Sequence, residues 1–106
     1  SQGAMLSAAV AFAEPSMFAG AVLMSGAILP ESTGKAAILG RLVGFPLMAT
    51  HGVNDTVIPI ELARAGYQAC APLELDLTYQ EFDMAHEINQ ESFEAVTNWL
   101  RAQLDK

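Results

Sequence analysis

Apolar positions along this chain fall into short continuous runs, one alternating stretch and two helical stripes. Gly20-Ala21-Val22-Leu23-Met24 is unbroken apolar sequence. It is too short for a helix, which predicts a strand buried on both faces and ended by Ser25-Gly26. Phe45-Pro46-Leu47-Met48-Ala49-Thr50-His51 predicts a second strand of the same kind. Its proline sits near the start, where a ladder donor can be spared. Leu75 to Phe82 instead alternates apolar and polar residues, the pattern of a strand half exposed to water near a sheet edge.

The intervening segments have helical patterns. Gly3 to Ala13 is rich in Ala, Met and Leu and should stop at Glu14, because Pro15 disfavours helix in the residue before it. Between Pro30 and Gly44 a polar and then apolar stretch predicts a loop with a short helix. Pro59 should open a helix that ends before Pro72, with Leu62, Ala65 and Ala69 on one face. In the last segment Asn89 can cap a helix and Ile88 can staple against Phe93. Phe93, Val96, Leu100 and Leu104 would form its apolar stripe.

Strands separated by helices require parallel pairing through crossovers, so the fold class is α/β, with about three parallel strands and flanking helices. Parallel sheets normally have both faces covered and several strands. A three-stranded sheet would leave an unpaired apolar edge on its first strand. Residues 1–106 are therefore expected to form a partial domain, and its exposed edge would invite a dimer or another chain.

At 106 residues the chain holds one domain at most. Its residues are 52% hydrophobic and 16% charged, which excludes disorder. Five basic residues face 12 acidic ones, a formal net charge of −7. With no basic patch, neither nucleic acid nor an anionic membrane is an expected partner. Ala11-Phe12-Ala13 mimics a signal cleavage site, but no basic segment precedes it. Met17 to Leu29 is too short to span a bilayer and is interrupted by Gly20 and Gly26. Stable membrane insertion is not expected. Cys70 is the only cysteine, so an internal disulfide is impossible, and its place at a helix end predicts a packed, inert thiol. The expected location is cytoplasmic.

No cofactor is expected. Gly34-Lys35 lacks the earlier glycine of a phosphate loop, and Ala36 stands where Ser or Thr is needed. His86-Glu87 is followed by Gln90 where a zinc-binding helix needs histidine, so no metal is expected.

Ser1-Gln2-Gly3-Ala4-Met5, Leu23-Met24-Ser25-Gly26, His51-Gly52-Val53-Asn54-Asp55-Thr56-Val57-Ile58-Pro59 and Met84-Ala85-His86-Glu87-Ile88 together resemble the phospholipase/carboxylesterase family of α/β-hydrolases, which includes acyl-protein thioesterases. The likeness runs the whole length and corresponds to the family's C-terminal half, from the nucleophile elbow onward. Ser1-Gln2-Gly3 is the back half of Gly-x-Ser-x-Gly, and the candidates follow the chain order Ser, Asp, His of that fold.

The resemblance implies a serine hydrolase of carboxylic esters or thioesters working through an acyl-enzyme, on a small-molecule or acylated substrate. Ser1 would be the nucleophile, Asp55 the triad acid and His86 the base. The Gln2 amide would supply half of the oxyanion hole. The second donor belongs to a loop that this sequence does not contain. The other histidine, His51, is expected to be buried and hydrogen-bonded. Ile28, Leu29, Leu39 and Leu42 either line an acyl pocket or belong to the plain core. Two alternatives stand beside this reading. The chain could be an inactive fragment that acts only by association, or Ser1 could use its own α-amine as base.

Overall fold

The computed structural model describes residues 19–26, 28 and 42–105. The expected helix from Gly3 to Ala13 and most of the stretch from Pro30 to Gly44 lie outside the described residues. Among the described residues three strands form one parallel sheet in the order β1 (Ala21–Met24), β2 (Pro46–Gly52), β3 (Asp76–Phe82). Helix α1 (Ile60–Gln68) joins β2 to β3 together with a short 3₁₀ turn at Ala71–Leu73, and α2 (Gln90–Leu104) follows β3.

Both apolar runs form strands, but burial is complete only in the second: in β1 Leu23 is closed to solvent while Ala21, Val22 and Met24 are partly open. β2 is central and buried from Leu47 to Gly52. β3 lies at an edge of the sheet and is only partly buried, as its alternation requires. On one face Leu47 and Ala49 join Leu23, Phe45, Leu73 and the α1 residues Ala63 and Tyr67 in the main core. On the other side α2 packs against β2, and a Cβ built on Gly20 would meet both Pro46 and Trp99. Side chains alternate between the faces of a strand, so even and odd positions of β2 serve different helices.

Two predicted helix faces need correction. In α1 the buried residues are Ile60, Ala63 and Tyr67, not Leu62, Ala65 and Ala69. Leu62 is exposed. The aromatic ring decides the rotation: Tyr67 stacks on Tyr79 with centroids 4.6 Å apart and its hydroxyl donates to the Gly26 carbonyl. An aromatic ring buries far more surface than a leucine on the next face. In α2 the start is as expected, with Asn89 and Ser92 forming a reciprocal capping box. Such a cap contributes about 1 kcal/mol. Its stripe is different. Val96 and Ser92 are buried, whereas Phe93, Leu100 and Leu104 are exposed, and so is Ile88. Nothing among the described residues covers that side of the helix.

Cys70 is buried, and burial pushes its thiol up to about 11. At neutral pH it is a protonated packing group.

Helix α1 is also pinned to β3 from the solvent side. Arg64 donates from Nε and Nη2 to the two carboxylate oxygens of Glu81, both at 2.8 Å, and the Tyr79 hydroxyl donates to Oε2 at 2.7 Å. The Arg64 hydrogen bonds, opposed by burial and assisted by Tyr79, hold the Glu81 carboxyl down at about 2. A depressed carboxyl stabilises the fold above its ordinary pKa, and that contribution is lost as pH falls through the folded value. Arg64→Met is thus expected to lower the urea midpoint at pH 6, with the gap from the parent protein closing between pH 4.5 and 2. Urea titrations of both proteins across that range test the expectation. A gap independent of pH would show that the arginine acts by packing alone.

Candidate active site

The register of the sheet determines what can meet at its C-terminal edge. Gly52 pairs with Phe82, so β2 and β3 end at the same height. The loops that follow them emerge side by side, where ligand sites of parallel sheets gather. Asp55 comes three residues after the last residue of β2, and His86 four after the last of β3.

The two loops are sewn together by backbone. The Val53 amide donates to the Phe82 carbonyl and the Asn54 amide to the Met84 carbonyl, both at 3.0 Å. The Asn54 side-chain amide donates to Asp83 Oδ1 at 2.8 Å. Gly52 permits this approach. A Cβ there would lie 2.2 Å from the Met84 carbonyl oxygen and 2.3 Å from that of Ala85.

Asp55 is the centre of the arrangement. Its side chain is closed to solvent. Oδ1 accepts from the Val57 and Ile58 amides at 2.8 Å each, and Oδ2 lies 2.7 Å from His86 Nδ1. Burial pushes its carboxyl up. The Ile58 amide, the His86 imidazole and the Val57 amide together outweigh that cost, and the net direction is down. The site keeps Asp55 ionised.

His86 stays partly open, with 26% of its side chain exposed. A carboxylate facing Nδ1 fixes the tautomer with the proton there. Nε2 then carries the lone pair, the form that can take a proton from a hydroxyl.

His51 is fully buried at the end of β2. Its Nε2 lies 2.7 Å from the Ile58 carbonyl, to which it donates, and 3.4 Å from Asp55 Oδ2. Nδ1 has no partner among the described residues. His51 thus braces the turn from 55 to 58 from beneath.

Of the candidates read from sequence, the structure brings Asp55 and His86 into contact. Ser1 and Gln2 lie outside the described residues, as do Leu29 and Leu39. Ile28 and Leu42 are buried in the main core cluster. The sequence marks Ser25 as the end of a strand and Gly52 as part of the His51–Pro59 motif, without tying either to the construction of the site. The glycine that ends an apolar strand marks a close backbone approach, and that signal was present in His51-Gly52. Among the described residues no group of three His, Cys, Asp or Glu is placed to hold a metal ion. Nor is any helix there long and apolar enough to cross a membrane.

The backbone resembles several solved structures. With acyl-protein thioesterase 2 of Zea mays the TM-score is 0.71 at 19% identity, covering 95% of this chain and 50% of that one. With esterase PE8 the TM-score is 0.68 at 21% identity, covering 95% and 46%. With the protein Atu2452, of unknown function, from Agrobacterium tumefaciens str. C58 it is 0.73 at 23% identity, covering 94% and 47%. The chain therefore spans about half the length of each, and the likeness shows the α/β-hydrolase fold. No curated protein compared with the chain matches it. The sequence model of the family described as phospholipase/carboxylesterase matches residues 1–104, and the chain belongs to that family.

Proposed function

We infer that the chain is the part of a carboxylic ester or thioester hydrolase that carries its triad, from the nucleophile elbow to the C-terminal helix. The observation that supports this best is the buried, ionised Asp55 on Nδ1 of a partly open His86. That pair is the acid–base half of a serine hydrolase, in a chain whose first residue matches the family's nucleophile. Ser1 Oγ attacks the acyl carbonyl while His86 Nε2 takes its proton. Asp55 holds the imidazole in register and stabilises the imidazolium as it forms. The Gln2 amide donates to the oxyanion. When the tetrahedral intermediate collapses, His86 returns the proton to the leaving oxygen or sulfur. Water then gives a proton to His86 as it attacks the acyl-Ser1 ester, and when that intermediate collapses His86 returns the proton to Ser1 Oγ and the acid is released. The fold relatives include an acyl-protein thioesterase and an esterase by name, which fits an acyl substrate with an oxygen or sulfur leaving group. A cytoplasmic location fits the single protonated thiol.

A second reading has its own support. The chain spans about half of each matched structure, β1 lies at one edge of the described sheet, and the α2 side bearing Phe93, Leu100 and Leu104 is bare. On this reading the chain has no turnover until a second polypeptide, or a second copy, covers those surfaces.

One experiment separates the two. The purified chain is treated with a fluorophosphonate probe and a short-chain aryl ester. Labelling of Ser1 and ester hydrolysis are expected, with His86→Ala lowering the rate by about a thousandfold or more. Absence of labelling in a dimeric or aggregated preparation favours the second reading. Hydrolysis that survives His86→Ala removes His86 from the mechanism.

A further inference from the structure

Ser25 occupies a backbone conformation that a serine rarely takes. Its φ is +58°, and Glu74 is the other non-glycine residue described with a positive value. Glycine is the default at such positions, because any Cβ is crowded there. The serine follows β1 directly and is almost fully buried. Its amide donates to the Thr50 carbonyl at 2.9 Å, which extends the β1–β2 ladder by one bond. Its hydroxyl donates to the Glu87 carbonyl at 3.2 Å.

That second bond crosses the sheet. β1 and β3 flank β2, so their axes stand about 10 Å apart, yet the residue just after β1 reaches the loop that follows β3. It takes hold one residue beyond His86. On its Met84 side this loop is fastened by Asn54 and lies against Gly52. Within itself it is closed by Glu87 N–H to the Ala85 carbonyl at 3.0 Å and by Ala85 N–H to Glu87 Oε2 at 3.1 Å. Ser25 supplies the fastening on the Glu87 side. A strained backbone persists where the surroundings use it, and here the side chain it carries is bonded to the loop that bears the imidazole.

We propose that Ser25 is a positioning residue for His86: its hydroxyl anchors the carbonyl of the next residue and so keeps Nδ1 seated on Asp55. The proposal rests on the reading of His86 as the base, and its test includes a readout that needs no turnover.

Three variants of the full chain separate positioning from plain stability. Ser25→Ala removes the donor and keeps the backbone strain. Ser25→Gly removes both, so it is expected to unfold at a higher temperature than Ser25→Ala. Ser25→Asn tolerates the left-handed conformation and restores a donor. The first readout is exchange with water of the His86 Nδ1 proton, followed by nitrogen-edited NMR; the second is kcat and KM for an aryl ester. Exchange is expected to be about tenfold faster in both Ser25→Ala and Ser25→Gly, since the hydrogen bond opens more often. The kcat should fall about tenfold in both with KM within twofold, as expected for a misplaced catalytic group. Ser25→Asn should recover both. Recovery in Ser25→Gly in step with its stability, or parental exchange in both variants, overturns the proposal. If His86→Ala leaves hydrolysis intact, the functional reading falls, and exchange alone decides whether Ser25 seats the imidazole.

Discussion

Gly52→Ala is expected to break the candidate site without touching Asp55 or His86. The new methyl group would sit 2.2 and 2.3 Å from two carbonyl oxygens and 2.8 Å from a carbonyl carbon. All three are backbone atoms, so no side chain can swing aside to make room. The loop after β3 must withdraw, which breaks the bonds from Val53 to Phe82 and from Asn54 to Met84. Each contributes about 1 kcal/mol net, and forced overpacking costs a further 1–3 kcal/mol or so. A loss of about 3 kcal/mol or more is a large fraction of the 5–15 kcal/mol typical of a domain. Withdrawal also draws His86 away from Asp55, and a misplacement of about 1 Å costs roughly a hundredfold in rate. Urea unfolding and ester hydrolysis of the same preparation measure both effects. A parental urea midpoint would mean that the two loops do not approach as closely as the structure has them.

This glycine also shows why the fold was more legible than the site's construction. The strands were readable because burial leaves a one-dimensional trace: Ala21 to Met24 and Pro46 to Ala49 are apolar throughout, and β3 alternates. The order of the candidate acid and base was readable as well, since each follows its strand by a few residues. Side-chain faces on the helices were harder. Nothing in the spacing of Leu62, Ala65 and Ala69 shows that Tyr67 stacks on Tyr79 of β3, a contact between residues brought together only by the crossover. The bare stripe of Phe93, Leu100 and Leu104 has the periodicity of a buried face, and periodicity cannot show whether a neighbour arrives. The positive φ of Ser25 and the approach at Gly52 depend on how two distant loops meet. Sequence marks such places by glycine and serine at strand ends and says nothing of their partners.

Asp55→Asn tests the acid itself, and its expected cost is the largest of all. In the parent protein both carboxylate oxygens accept: Oδ1 from two amides, Oδ2 from His86. An asparagine has only one oxygen. If that oxygen stays with the Val57 and Ile58 amides, the amide group replaces Oδ2 and confronts His86 Nδ1 with a donor. The imidazole must then accept at Nδ1 and carry its proton on Nε2, the wrong tautomer for taking one from Ser1. Rotating the amide the other way sets its hydrogens against two backbone donors. Such a tautomer reversal lowers kcat by about 10⁴-fold while leaving the geometry largely intact. Stability gives a second, independent readout. Because the folded carboxyl is held below its ordinary value of 3.8, its contribution is present above that pH and is lost as pH falls through the folded value. The asparagine variant has no such proton to bind. Its urea midpoint should therefore lie below the parent's at pH 6, with the difference shrinking on acidification below pH 3.8. Undiminished hydrolysis in Asp55→Asn would exclude Asp55 as the group that orients His86. A gap in stability that persisted to low pH would show that the carboxylate's charge is not what holds the turn from 55 to 58 in place.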